Sequence, residues 1–437
     1  LKGEIIMAYC AYITAITNIR KHSNADRLNV GQCFGNNVIV SLETKEGEVG
    51  VYFPVDGQLG VEYATKNNLL RLKNPDGSNS GGYLEPDKRN IKALKLRGEQ
   101  SDGLFMPLKS LESFVDVNTL KVGDSITVLN GVVICEKYIP RSTNNSTVTR
   151  DQGKKKVGKA PKIVVEYPTF EEHIDTAQLA YNKHAFKAGD FCEITLKMHG
   201  TSGRTGYLPK ETTRRMPRFL RFFGIGDKKN RDYDYVTGTR RVVLKNYNNG
   251  FYGDDSFREK YHNAFKGKLH KGETAYYEIV GYVNDSTPIM GRCSNAKLND
   301  KNFVKMYGPT TTFSYGCEAG QNEMYIYRMT MTNDDGDVVE YPYSLIKSRA
   351  DQMGMKVVPL LDQFFYTNEE DLMARVETLC DGPDPVGLTH VREGVVVRIE
   401  NREKFSAYKN KGFNFKVLEG LIKETATAPD MEEAQEV

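Results

Sequence analysis

The stretch Glu193–Gly206, EITLKMHGTSGRTG, sets the reading of the chain. Phe191 to Leu196 fit a strand, and the Gly, Thr and Ser residues just after Met198 are turn formers. Lys197 therefore stands where a buried strand opens into a turn. A lysine before such a turn is ordinarily a solvated strand end, whereas one held at the mouth of a buried strand is a candidate reactive amine. Only the rest of the chain can separate the two readings.

Length and composition bound the answer. A chain of 437 residues is too long for one average core and points to two domains, or three. Charged residues make up 27% of the chain and leave a net charge of only +3, so any nucleic-acid contact must come from local basic patches. The seven cysteines include no C-x-x-C pair, which argues against a disulfide framework or a zinc ribbon and for a reducing, cytoplasmic setting. Nor is there an apolar run long enough to predict a membrane span.

The chain divides by pattern. Between Tyr9 and Val128, short β-type runs (AYITAITNI, NNVIVSLE, VGVYFPV, IKALKL, GLFMPL, SITVL) alternate with turn residues and predict a small β-domain, with an OB-like barrel as the leading form. We assign residues 1–139 to it. Residues 140–161, with the run Lys154–Lys156, have linker composition. Residues 162–428 read as an α+β domain and 429–437 as a tail. Strands are predicted at FCEITLKM, VVLKNY, TAYYEIVGYV, EMYIYRMTM, EGVVVRIE and NFKVLEG, with a helix over Asn368 to Leu379.

Several of those strands carry charges amid apolar residues. Glu278 lies inside AYYEIVGYV, Glu393 and Arg398 bracket three valines, Lys416 sits between Phe415 and Val417, and Arg240 and Arg241 precede VVL. A charge on a core strand costs several kcal/mol unless it is paired or hydrogen-bonded. Singly, each is a sheet-edge charge; together with Lys197 they predict one polar pocket with two acids and several cations.

On these residues the chain resembles the covalent nucleotidyltransferases, the superfamily of ATP-dependent RNA and DNA ligases and capping enzymes. KMHGTS resembles their K-x-[DH]-G nucleophile element, YEIVG the element with the ribose- or metal-side glutamate, EGVVVR their E-G-[VI]-V element, and NFKVLE their terminal lysine element. Order and spacing agree: 81 residues separate Lys197 from Glu278, 115 separate Glu278 from Glu393, and 23 separate Glu393 from Lys416. VGVYFPVDG and LKLRGEQSDGLFMPL are similar to the N-terminal OB module of the Naegleria/Deinococcus-type RNA ligases. Only 21 residues follow Lys416, which favours an RNA ligase over the DNA ligases and capping enzymes with their further OB domain. His199 stands where the Naegleria branch has aspartate.

The resemblance implies a multidomain α+β protein: the OB-like barrel, then an ATP-grasp-like ligase domain with antiparallel sheets. It implies an ATP-dependent RNA ligase that joins 3′-hydroxyl and 5′-phosphate ends of a nicked duplex or RNA/DNA hybrid, acting as a monomer away from membranes. Lys197, Glu393 and Lys416 would be catalytic. Glu278, Arg240, Tyr327, Gly200 and Glu193 would bind the nucleotide, with Tyr327 covering the adenine, and Glu393, Glu278 and His199 would attend Mg²⁺ or Mn²⁺. A free lysine amine titrates near 10.4, so Lys197 must be pushed down by neighbouring cations or a metal before it attacks. The alternatives are a capping-type guanylyltransferase, or a nucleic-acid-binding protein with a degenerate nucleotidyltransferase domain. Finally, Lys210–Arg231 packs eight Lys/Arg with three Phe and reads either as an RNA-binding segment or as an amphipathic surface helix.

Overall fold

The computed structural model describes residues 9–138, 163–173, 176–216, 222–223, 226–244, 247, 252, 255–298, 300–402 and 404–424. The linker, with its Lys154–Lys156 run, and the C-terminal tail lie outside them. Two compact units form, and they divide the chain differently from the sequence pattern at its C-terminal end. One unit holds Leu1–Pro140, Lys297–Asp300 and Phe413–Glu424; the other holds Arg141–Ala296, Lys301–Gly412 and Thr425–Val437.

The first unit is built of short strands. Leu104–Pro107, Val49–Phe53, Ala11–Ala15 and Ser125–Ile126 make a four-stranded antiparallel sheet, and Thr17–Lys21, Leu28–Cys33 and Asn36–Ser41 a three-stranded one. Alternation buries Ala11, Ile13, Val51 and Phe53 against Leu59, Tyr63, Leu111 and Ile134 in one core. The segment NFKVLEG, expected as a strand, is instead the start of a helix, Phe413–Glu424, in this unit. Phe415 and Leu418, three residues apart, are both fully buried, which is helical rather than strand spacing. Lys416 on that helix forms an ion pair with the buried Asp102.

The second unit contains two sheets. In the five-stranded sheet the order is Ala177–Gln178, Ala407–Lys411, Gly394–Ile399, Phe191–Lys197 and Leu360–Phe365. In the seven-stranded sheet, Ile163–Glu166, Thr201–Arg214, Glu273–Gly281, Asn322–Thr332 and Val338–Glu340 follow one another, with Lys228–Gly238 and Lys356–Val357 paired alongside. Pairing is antiparallel except for Ala177–Gln178 with Ala407–Lys411 and Lys356–Val357 with Asn322–Thr332. The predicted helix is present as Glu369–Cys380, capped by the Asn368 side chain, which accepts from the Asp371 N–H. VVLKNY is not a strand: of its described residues only Val243 makes an isolated bridge, to Gly238, and Val242 and Val243 are each more than a third exposed. No disulfide joins the seven cysteines, and among the described residues no helix is long and apolar enough to cross a membrane.

Candidate active site

The four residues Lys197–Gly200 carry the chain from one sheet of the second unit to the other. Lys197 ends a strand of the five-stranded sheet, and Thr201 begins the longest strand of the seven-stranded one. The crossing is tight enough to demand glycine: a Cβ on Gly200 would lie 2.3 Å from the Ile279 carbonyl oxygen. That closeness brings the loop against Glu278, whose Oε2 accepts a hydrogen bond from Ser202 Oγ at 3.1 Å. Arg258, buried on the helix Ser256–Phe265, secures the start of the long strand by donating to the Ser202 carbonyl (2.9 Å) and to Thr201 Oγ1 (2.5 Å). Sequence patterning does not single out Arg258; its available signal is a lone arginine amid Phe257, Tyr261 and Phe265 on the buried face of a helix.

Sheet register then assembles the cations. Lys197 is paired with Gly394, and Gly394 with Lys411, so the two lysines flank a residue with no side chain. Two residues further along the strands, Thr195, Val396 and Lys409 align in the same way. Residues in one row of an antiparallel sheet share a face. Glycine at 394 is required here as well: its φ is +154° and a Cβ would meet the Asn410 carbonyl oxygen at 2.1 Å. The preceding Glu393, 1% exposed, turns its carboxylate into this gap. Its Oε1 accepts from Lys197 Nζ at 2.6 Å and lies 3.8 Å from Lys411 Nζ.

The charges act on one another in a definite direction. Burial, the largest single influence, pushes the Lys197 ammonium toward deprotonation and Lys411 adds to that push, but the carboxylates of Glu393 and Glu278 together outweigh them, so the Lys197 pKa is raised above its ordinary value. The downward push expected from the sequence is thus present but overbalanced. Glu393 Oε2 is buried and, among the described residues, has no hydrogen-bond partner. An orphaned carboxylate oxygen in such a place is costly and fits a hard cation. Among the described residues no three His, Cys, Asp or Glu side chains converge as a metal cluster. The donor set therefore suits an ion held by one or two carboxylates and completed by phosphate and water, the habit of Mg²⁺.

A cleft opens beside Lys197, lined among others by His173, Ser202, Arg240, Glu278, Tyr327 and Lys409. Arg240 reaches it from a bend rather than from the lead-in to a strand, and its carbonyl accepts the His173 N–H at 3.1 Å. The Tyr327 ring meets His173 edge-on, with centroids 5.1 Å apart. Glu193 is not in the lining. It is buried four residues back along the strand from Lys197, opposite Arg398, with Oε1 accepting from Gln363 at 2.5 Å. Glu400 beside it is pushed up to about 7, first by burial.

His199 lies in the loop just after Lys197. Its ring packs edge-on against Phe313 at 4.8 Å, and its backbone N–H donates to the Tyr315 hydroxyl at 2.6 Å. Tyr315 in turn meets His390 edge-on at 4.4 Å, three residues before Glu393. One buried aromatic cluster thus holds both the segment after Lys197 and the segment before Glu393. Lys416 is in the other unit, and within this one the sheet register places Lys409 and Lys411 with Lys197.

No family model matches the sequence, and no curated protein matches it. Solved structures do, and the fold they define is that of an RNA ligase. A mutant of Naegleria gruberi RNA ligase with AMP and manganese superposes with a TM-score of 0.57 at 17% identity, over 93% of this chain and 97% of that one. The same organism's RNA ligase with pyrophosphate gives 0.56 at 17% identity, over 93% and 97%. A further mutant with ATP and manganese gives 0.55 at 17% identity, over 94% and 97%. At this identity the likeness is one of fold, and it spans nearly the whole of each chain.

Proposed function

We propose that the protein is an ATP-dependent RNA ligase that works through a lysyl-adenylate. The observation that carries the reading is the row Lys197–Gly394–Lys411 with the Glu393 carboxylate in its gap, beside a cleft holding Arg240, Glu278 and Tyr327. The fold shared with an RNA ligase solved with ATP, AMP and pyrophosphate supports it. The β-rich first unit is read as the OB-type module of such a ligase.

Lys197 Nζ, once its ammonium proton has passed to solvent, attacks the α-phosphorus of ATP; a P–N bond forms, the P–O bond to pyrophosphate breaks and pyrophosphate leaves. Lys409 and Lys411 face the charge that develops on the α-phosphate oxygens, the kind of positioned electrostatic stabilisation on which phosphoryl-type transfers depend. Glu278 holds the ribose hydroxyl edge, Arg240 the ribose or a phosphate, and Tyr327 offers its ring to the adenine face. A divalent cation, Mg²⁺ or Mn²⁺, would be held by Glu393 and attended by Glu278, and would supply charge neutralisation at the phosphates. The AMP then passes to a 5′-phosphate RNA end, and a 3′-hydroxyl displaces it to close the strand.

Incubation with α-labelled ATP or GTP, followed by a denaturing gel, tests this directly. Label from ATP that survives denaturation and is lost in Lys197→Ala is the expected result. Label from GTP alone would instead mark a capping-type enzyme. No label in a protein whose intact mass shows no bound AMP would sink the reading.

A further inference from the structure

The outer end of the hairpin formed by Thr201–Arg214 and Lys228–Gly238 carries charge that folding does not account for. Its register sets Arg214 directly opposite Lys228 and Thr213 opposite Lys229, and Arg215 follows at once. Like charges directly opposite one another destabilise a strand pair. The four cations Arg214, Arg215, Lys228 and Lys229 are all exposed, and among the described residues none of them has an acidic partner. The nearest acid in sequence, Asp227, accepts the Met216 N–H instead. Lower on the same hairpin the cations are matched: Lys210 pairs with Asp234 at 2.6 Å, and Arg231 lies 4.0 Å from Asp334.

Two aromatic residues lie between these strand ends in the chain. Phe222 and Phe223 are 86% and 74% exposed and meet edge-on with centroids 5.6 Å apart. On the adjoining strand, Ile163 lies opposite Arg214 and is likewise exposed. Two neighbouring phenylalanines left in water are unfavourable in an isolated fold unless a ligand covers them. Arg214, Lys228 and Lys229 project from strands, while Arg218 and Arg221, in the middle of the segment that the sequence allows as an amphipathic helix, lie outside the described residues.

We infer that this hairpin end is an RNA-binding arm, in which Arg214, Arg215, Lys228 and Lys229 take phosphates and Phe222 and Phe223 stack on unpaired bases. The inference rests on the ligase reading for the kind of polymer, but not for the surface itself. A net charge of +3 makes the chain as a whole a poor polyanion binder, so the attraction must be local. A strand edge built for phosphate, with exposed aromatics for bases, is the combination that unpaired nucleic acid needs.

The test uses the full-length protein and two fluorescein-labelled RNAs, one unpaired and one a duplex, read by anisotropy over a salt series. Arg214→Glu places an acid opposite Lys228, so its Tm should hold or rise while RNA affinity falls about 10-fold and the salt slope drops by about 1. Phe222→Ala with Phe223→Ala should weaken the unpaired RNA about 10-fold and the duplex far less. Wild-type affinity for both RNAs in both variants would overturn the arm, and would be the outcome if the patch serves a protein partner. Self-adenylation with labelled ATP is measured in parallel and should persist in both variants. Its absence from the wild type would sink the ligase reading, while the anisotropy would still judge the arm.

Discussion

The strand Thr201–Arg214 is buried at one end and exposed at the other, and the two ends treat charge in opposite ways. Around Thr201 and Ser202, the side chains of Glu278, Arg258 and the nearby Lys197 are largely desolvated, and each is met by a hydrogen bond or a counter-charge. At the outer end, Arg214, Arg215, Lys228 and Lys229 gather in solvent, with no acidic partner among the described residues. A buried charge must be satisfied within the fold, because the low-dielectric interior makes it costly otherwise. An exposed one need not be, so an uncompensated cluster can be kept for a partner. On the proposed function, the comparison separates residues that make the chemistry from residues that bring the polymer to it.

The sharpest way to break that division is at the buried end. Lys197→Ala should abolish self-adenylation, a loss on the order of 10⁴-fold or more for removal of a nucleophile, while RNA anisotropy stays near wild type. Loss of RNA binding in the same variant would mean that the two ends are not separable. Next in size, Lys411→Ala should slow adenylation on the order of 10²-fold, because on the proposed function it removes a positioned cation facing the phosphate. Lys416→Ala should instead act on stability. It leaves the buried Asp102 carboxylate without its ion-pair partner, at a cost of ~3 kcal/mol. Single-turnover adenylation and thermal melts on the two variants decide between these roles: a larger adenylation defect in Lys416→Ala would reverse the assignment.

That assignment also shows where the sequence is legible. Lys197, Glu278 and Glu393 stand out because each is a charge on or beside an otherwise apolar strand, a pattern that depends only on neighbours in sequence. Lys409 and Lys411 do not. The strand Ala407–Lys411 reads AYKNK, is mostly polar, and exists through its pairing with Gly394–Ile399 and Ala177–Gln178, contacts that no local window contains. The alternation K-N-K is the available signal, since it sets both lysines on one face. NFKVLEG misleads for a different reason. Its apolar residues suit a strand or a helix when few are counted, and only the burial of Phe415 with Leu418 resolves the period. Glu193 shares the face of Lys197 by alternation but is buried and does not line the cleft.

Tyr315 gives a smaller effect that sharpens the buried end. Its hydroxyl accepts the His199 N–H, so Tyr315→Phe leaves that amide without its acceptor two residues from the nucleophile. The expected cost is about 1 to 3 kcal/mol in stability. Because a slightly misplaced nucleophile slows attack without weakening nucleotide binding, adenylation should fall about 10-fold in kcat with little change in KM for ATP. A rise in KM with kcat intact would mean that Tyr315 shapes the nucleotide site rather than the lysine segment.

The smallest effect is a dependence on pH beside the same cluster, where the Asp384 N–H donates to the His390 carbonyl at 2.8 Å. Asp384 is fully buried, and burial pushes its carboxyl from the ordinary range up to about 7. The unfolded chain ionises this group near 3.8, so between about 4 and 7 the folded state binds the extra proton. Stability contributed by the protonated form is therefore present at low pH, falls as pH rises through that window, and is level above it. Asp384→Asn keeps an oxygen for the Val386 N–H, which Asp384 Oδ1 accepts at 2.8 Å, and carries no charge to desolvate. Its Tm should exceed that of the wild type at pH 8 by a few degrees and converge with it near pH 4. A Tm difference that does not change with pH would show that Asp384 is not the group that titrates.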